Sequence, residues 1–271
     1  MNQPTLHNNF NALVKARYGY LLYNQNDQFI GKSIQHYGEY SQGEVDLFAQ
    51  ICQKDDVVVE VGANIGAHTL PLSRMVTSSG KVFAFEPQRI VFQTLCANMA
   101  LNSISNVYVY ELGVGEATKE LFLPTINYAQ KANFGGVDLK QSADEKVQVV
   151  ALDEFLNILK LDFLKIDVEG MELQVLQGAK NLIQTHQPVI YLENDRVHNS
   201  QALIEFLWQL NYTLYWHTPP LFNPNNFFKK AHNILGNFIS INMLCIPKNF
   251  TKKVYDFTPI TSSTFHPSKK S

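Results

Sequence analysis

Val57-Val58-Val59-Glu60-Val61-Gly62-Ala63-Asn64-Ile65-Gly66 is followed by Phe83-Ala84-Phe85-Glu86-Pro87, whose acid stands 20 residues after Gly66. The β-branched run reads as a buried strand and the two glycines as a tight turn. A helical segment follows, then a second strand that ends in a carboxylate. Strand, glycine turn, helix and acid-tipped strand are how α/β proteins grip an adenosine-containing cofactor.

The details of the turn narrow the cofactor. A dinucleotide fingerprint needs glycine at three places so that backbone can approach a pyrophosphate. Here Asn64 and Ala67 occupy two of them, which leaves a nicotinamide-dependent reductase as a minor alternative. The turn instead has an acid before it, Glu60, and a polar amide between two glycines, Gly62 and Gly66. That suits a cofactor ending in an amino acid, whose ammonium needs an acceptor and which brings no phosphate. S-adenosylmethionine is such a molecule. Glu86 is placed to accept hydrogen bonds from both ribose hydroxyls, or, more simply, to put charge near the start of the helix after Pro87. Asn64 either contacts the cofactor or merely tolerates a left-handed turn.

The 271 residues suffice for one large or two small domains, and 45% hydrophobic against 17% charged residues predicts a folded protein. A net charge of −2 argues against a nucleic-acid footprint. The three cysteines, Cys52, Cys96 and Cys245, have no C-x-x-C spacing, which suggests a reduced, cytoplasmic setting. Met1 to Phe10 is polar, so no secretory signal is expected there, and no apolar run is long enough to span a membrane.

Working outward, Tyr18 to Tyr23 and Phe29-Ile30 flank the polar turn Asn24-Gln25-Asn26-Asp27, predicting a β-hairpin, with an amphipathic helix over 41–51. We take 1–50 as an N-terminal hairpin-and-helix extension. Residues 51–250 form a Rossmann-like domain with strands at Val57–Val61, Lys81–Phe85, 107–112, 162–167 and Val189–Glu193, and helices at 90–101, 171–183 and 201–210. Such βα alternation predicts a mostly parallel sheet. Pro71 delays or kinks the helix after Gly66. Residues 116–150, with a hairpin strand at Lys119–Leu123 and a short strand at 147–152, read as an insertion over the site. Late strands at 212–216 and 238–246 close the sheet, and 251–271 reads as a loosely held tail.

Ligands of open α/β sheets lie beyond the carboxyl ends of the strands. Those ends carry Glu60, Glu86, Gly113, Asp167 and Glu193. Lys165, Asp167 and Glu169 share one side of a strand end, where three charges are costly without partners or solvent. Their simpler reading is a Lys165–Asp167 ion pair with Glu169 capping the next helix; the other is an active-site role. Glu193 lies beside Asp167 if their strands are neighbours, and convergent carboxylates can share a divalent metal or supply a general base. Residue types alone do not choose between these. His68, His198, His217 and His232 lack metal spacing and read as surface or packing residues, with His217 the one to test as an alternative base.

Glu60 to Gly66, Phe85-Glu86-Pro87, Lys165 to Gly170 and Glu172-Leu173-Gln174-Val175-Leu176-Gln177-Gly178-Ala179 together resemble the FkbM family of S-adenosylmethionine-dependent methyltransferases over about residues 35–195. That family usually has aspartate where Glu60 stands. The resemblance implies a seven-stranded methyltransferase sheet with antiparallel last strands, and O-methyl transfer, often to sugar hydroxyls. On that footing Glu60, Gly62, Ala63, Asn64 and Gly66 hold the methionine end, Glu86 and Pro87 the ribose, and Gly113 and Val114 the adenine edge. Asp167, Glu169 and Glu193 are the candidate catalytic residues. A glycan or small-molecule acceptor is expected, with lipid, polyketide or protein acceptors and a catalytically inactive partner protein as alternatives. Residues 1–35 and the 217–233 loop are where acceptor identity would be written.

Overall fold

The computed structural model describes residues 6–250 and 257–269. The chain opens with a three-stranded antiparallel sheet, β1 (Leu6–Asn8), β2 (Asn11–Ala16) and β3 (Gly19–Asn24), then helices α1 (Ile30–Tyr37) and α2 (Gln42–Ile51). There follow β4 (Val57–Val61), α3 (Thr69–Met75), β5 (Lys81–Phe85), α4 (Arg89–Leu101) and β6 (Val107–Tyr110). A small sheet of β7 (Gly113–Val114), β8 (Lys119–Leu123) and β9 (Glu145–Val150) precedes the short α5 (Leu152–Phe155). The rhythm resumes with β10 (Phe163–Ile166), α6 (Glu172–Gly178), α7 (Lys180–His186), β11 (Val189–Glu193), α8 (Val197–Gln209), β12 (Tyr212–His217) and β13 (Asn242–Pro247).

The central sheet has seven strands in the order β12-β13-β11-β10-β4-β5-β6. Pairing is parallel from β6 through β11, and β13 inserts antiparallel between β11 and β12. This is the mostly parallel sheet with antiparallel last pairings that the motifs predict. Alternation along each strand divides the core. Val59, Val61, Leu164, Ile166, Ile190 and Leu192 pack with Val175, Leu176, Ile183 and Leu203 from α6, α7 and α8. On the opposite face Val58, Phe163, Val189 and Tyr191 pack with Leu47 and Phe48 from α2, Leu72 from α3 and Val76 at its C-terminal cap. Strands covered on both faces become near-continuous apolar runs, which is why Val57–Val61 is legible without alternation.

The N-terminal sheet is fastened to α4 by two asparagines one helical turn apart. Asn98, fully buried, accepts from Leu22 N (2.6 Å) and donates to Leu22 O (3.0 Å) and Ile65 O (2.8 Å). Asn102 accepts from Tyr20 N (2.8 Å) and donates to Tyr20 O (2.7 Å).

Several expectations need correcting. The hairpin joins β2 to β3 through Arg17-Tyr18, not through 24–27; there Asp27 accepts from Phe29 N (2.8 Å) and Phe29-Ile30 turns into α1. The single helix over 171–183 is two, α6 and α7, parted after Gly178, where any side chain would collide with the Gly115 carbonyl. The last strand starts at Asn242, and Phe238 and Ile239 stand exposed before it. One expectation is met: the helix after Gly66 begins late, at Thr69, with Pro71 as its third residue. Part of the expected loose tail lies outside the described residues; within 257–269, Ile260 and His266 are buried, and the His266 ring bonds Asn194 O at 2.8 Å.

Gly62 has φ +80°, and a Cβ there would overlap the backbone carbonyl of Asp167; Gly236 has φ +62° with open space around it. Gly236→Ala should therefore cost only the left-handed backbone penalty, about 1–2 kcal/mol. Gly62→Ala adds a backbone clash and should cost at least about 2 kcal/mol more. Urea unfolding of the two variants checks the ranking, and equal losses would contradict it.

Candidate functional site

The carboxyl ends of β4, β5, β10 and β11 open into a cavity of about 390 Å³. Among the described residues seven carboxylates line it, those of Glu44, Glu60, Glu86, Asp167, Glu169, Glu193 and Asp195, against two cations, Lys165 and Arg196. A narrower slot of about 40 Å³ shares Gly62, Glu86, Gly135, Asp167 and Glu169 with it and runs past Pro87, Leu112, Gly113, Val114 and Met171.

The glycine turn is built by hydrogen bonds to the neighbouring strand. Gly62 N and Ala63 N donate to Phe85 O at 3.0 and 2.9 Å, and Gly66 N donates to Ala63 O at 2.9 Å. Asn64 adopts φ +49°; its side-chain oxygen accepts from Ile65 N (2.8 Å), and its own N–H donates to Glu86 Oε2 (2.9 Å). Glu86 Oε1 accepts from Gln88 N (2.9 Å), so one carboxylate locks the loops after β4 and β5 together. Burial, against those two backbone donors, pushes its pKa up to about 7.

Glu60 is fully buried. Thr69, in the first turn of α3, donates to its Oε2 at 2.6 Å, while Oε1 has no hydrogen-bond partner among the described residues and lies 3.6 Å from Lys165 Nζ. Lys165 also lies 3.3 Å from Asp167 Oδ2. Burial opposes the Lys165 charge, but the carboxylates of Asp167, Glu60 and Glu44 outweigh it and hold its pKa above the ordinary lysine value. The Lys165–Asp167 pair of the simpler sequence reading thus exists, and both residues line the cavity.

Parallel pairing of β10 with β11 brings Asp167 and Glu193 side by side, as expected if those strands were neighbours. Ligand oxygens of Asp167, Glu169 and Glu193 lie within 4.8 Å of one another, close enough for one divalent cation with hard oxygen ligands. Glu169 does not cap α6. It sits at φ +56° and accepts from Arg196 Nη2 at 2.6 Å, while Glu172 accepts from Gly170 N at 2.9 Å. Burial and the Asp167 charge raise the Glu169 pKa to about 8 despite Arg196. Burial, then Asp167 and Glu169, raise that of Glu193 well above the carboxylate range, and its Oε2 has no partner.

Other lining groups escape a reading by motif. Glu44 on α2 accepts from Ser41 (2.6 Å) and Ser240 (2.8 Å). His68, directly after the glycine turn, is buried against Tyr40 and Phe48 with Nε2 unpartnered, and burial together with Lys165 keeps its pKa well below the ordinary histidine value. Its place after Gly66 was the available signal. Phe29, Tyr40, Phe238, Ile239 and Asn242 complete the wall, brought in from opposite ends of the chain. His217 is not part of that wall. Its Nδ1 bonds the Tyr191 hydroxyl (2.8 Å), which accepts from Asn242 (2.7 Å), and burial lowers its pKa to about 4, so the suggested alternative base stands behind the cavity wall.

Residues 60–214 match the family model described as the methyltransferase FkbM domain. The chain belongs to the FkbM methyltransferase family. It is 32% identical over 146 residues to Methyltransferase 1 of Beauveria bassiana, covering 46% of this chain and 58% of that one. It is 28% identical over 152 residues to the hexuronic acid methyltransferase AglP of Haloferax volcanii, covering 55% of this chain and 60% of that one. The chain thus spans about three-fifths of the length of these curated relatives. A crystal structure of methyltransferase FkbM from Methylobacillus flagellatus aligns at 21% identity with a TM-score of 0.45, covering 71% of this chain and 43% of that one.

The raised Glu193 pKa has a consequence for stability. Its contribution favours folding in acid and is lost as pH rises from the ordinary carboxylate value through the folded one. Glu193→Gln removes that charge, so the ligand-free variant should gain more at pH 8.5 than at pH 5.5. A gain of about 1 kcal/mol would raise Tm by about 2–4 °C in a chain of this size. Thermal melts at the two pH values test the difference, and an equal or smaller gain at pH 8.5 would contradict it.

Proposed function

We propose that this protein is an S-adenosylmethionine-dependent O-methyltransferase whose acceptor is a sugar hydroxyl. The observation that carries the cofactor reading is the buried Glu60 in the cavity wall, two residues before Gly62, whose Oε1 receives no hydrogen bond among the described residues and has only the Lys165 charge, 3.6 Å away, beside it. Gly62, Ala63, Asn64 and Gly66 would hold the methionine end with it, Glu86 and Pro87 the ribose, and Gly113 and Val114 the adenine edge. S-adenosylmethionine supplies a methyl group already activated on a sulfonium centre. The chain's work is then orientation and proton acceptance. Asp167, Glu169 and Glu193 surround the remaining space; they would position the acceptor hydroxyl and take its proton, or bind a divalent cation that does the positioning. The hexuronic acid methyltransferase among the relatives supports a carbohydrate acceptor. One observation favours a second reading, a hydroxyl carried on a lipid or polyketide: Phe238 and Ile239 are 57% and 47% exposed at the cavity wall.

An ionised Glu86 is the better acceptor for ribose hydroxyls, and its pKa in the free protein is about 7. Affinity for S-adenosylmethionine should therefore rise as pH passes from 6 to 8, and Glu86→Ala should weaken binding and abolish that dependence. Isothermal calorimetry measures both, and unchanged affinity in the variant would remove Glu86 from the cofactor site. Asp167→Asn should lower kcat by about 100- to 10,000-fold if Asp167 is the proton acceptor. A fully active variant would exclude it, and loss of activity in EDTA that Mg²⁺ restores would assign the carboxylates to a metal.

A further inference from the structure

We infer that the acceptor is uncharged where it enters the cavity and that the site discriminates against a uronate. This rests on reading the cavity as a methyl-transfer site. An acceptor carboxylate is best received by a free cation, and both cavity cations found among the described residues are engaged. Lys165 lies within 3.6 Å of Glu60 and 3.3 Å of Asp167. Arg196 lies 2.6 Å from Glu169, 3.5 Å from Asp195 and 3.7 Å from Asp138. His68 is held neutral by burial and by Lys165.

Among the described residues, carboxylates outnumber cations seven to two at the cavity, and its other donors, Tyr40, Asn133, Ser240 and Asn242, carry no charge. Glu193 Oε2 is buried and receives no hydrogen bond, and Glu44, 5% exposed, is supplied with donors at Oε1 by Ser41 and Ser240. Hydroxyl groups of a neutral sugar are donors and fit such a surface, whereas an added carboxylate brings only more lone pairs and a like charge. Phe29, Tyr40 and Phe238 offer apolar faces to the C–H surface of a sugar ring. The substrate named for the hexuronic acid relative therefore does not carry over to this chain.

The test uses the full chain saturated with S-adenosylmethionine and matched methyl glycosides and methyl glycosiduronates of the gluco, galacto and manno series. Reactions run in EDTA and in Mg²⁺, with methylated product read by mass spectrometry. We expect kcat/KM for the neutral member of an active pair to exceed that for the uronate at least tenfold in both buffers. Glu44→Gln should shrink that ratio at least threefold. A uronate used as well as or better than its neutral partner, in either buffer, overturns the inference. Transfer to no glycoside but to methyl 12-hydroxystearate overturns the sugar reading instead. The same charge comparison, ester against free 12-hydroxystearate, then decides the inference on that substrate, equal rates overturning it. Competition against an active acceptor supplies a second readout, in which the neutral glycoside inhibits and the uronate does not.

Discussion

A lysine ammonium removed from water is destabilising by several kcal/mol unless carboxylates replace its hydration. Lys165 is 2% exposed in a central strand of the sheet, so its neighbours are dictated by that need. Glu60, one strand over and directly in register with it, and Asp167, two residues on, supply the counter-charge. Gly62 follows from the same arrangement, since only a residue without Cβ lets the turn after β4 pass against the Asp167 carbonyl. The ion triad thus joins the glycine turn to the acidic end of β10, and the cavity forms between them.

Around this neutralised centre the remaining carboxylates are under-compensated. Burial, with the Asp167 charge adding to it, raises the pKa values of Glu86 and Glu169 to about 7 and 8 and that of Glu193 well above the ordinary carboxylate value. Strained ionisation of this kind clusters where a cationic or hydrogen-bond-donating ligand is received.

The rest of the cavity wall comes from segments far apart in the chain. Glu39, buried after α1, accepts from Arg17, Asn223 and Phe227 N, which ties the N-terminal sheet to the loop before β13. Gly38 lies beneath the Phe227 and Phe228 rings. Ser240 donates to Glu44 at 2.8 Å and the Phe29 and Phe238 rings meet edge to face at 5.4 Å, so this wall of the cavity is shaped by the packing of both ends of the chain.

Short-range patterns determined much of this protein. Strands buried on both faces write themselves as apolar runs, so Val57–Val61, Lys81–Phe85 and Val189–Glu193 have the limits the sequence indicates. Carboxylates ending parallel strands must converge on one edge, which brought Glu60, Glu86, Asp167 and Glu193 together before any coordinates. Turn placement in the N-terminal hairpin, the break at Gly178 and the withdrawal of His217 behind Tyr191 were decided by tertiary contacts that leave no local period. The same holds for Glu44, an ordinary helix residue, and His68, an ordinary residue of the turn before α3, until folding brings both near the Lys165 charge. Local backbone preference and burial periodicity are written residue by residue, whereas the pairing of distant charges and the choice of which side chain faces a shared cavity exist only once the chain has closed on itself.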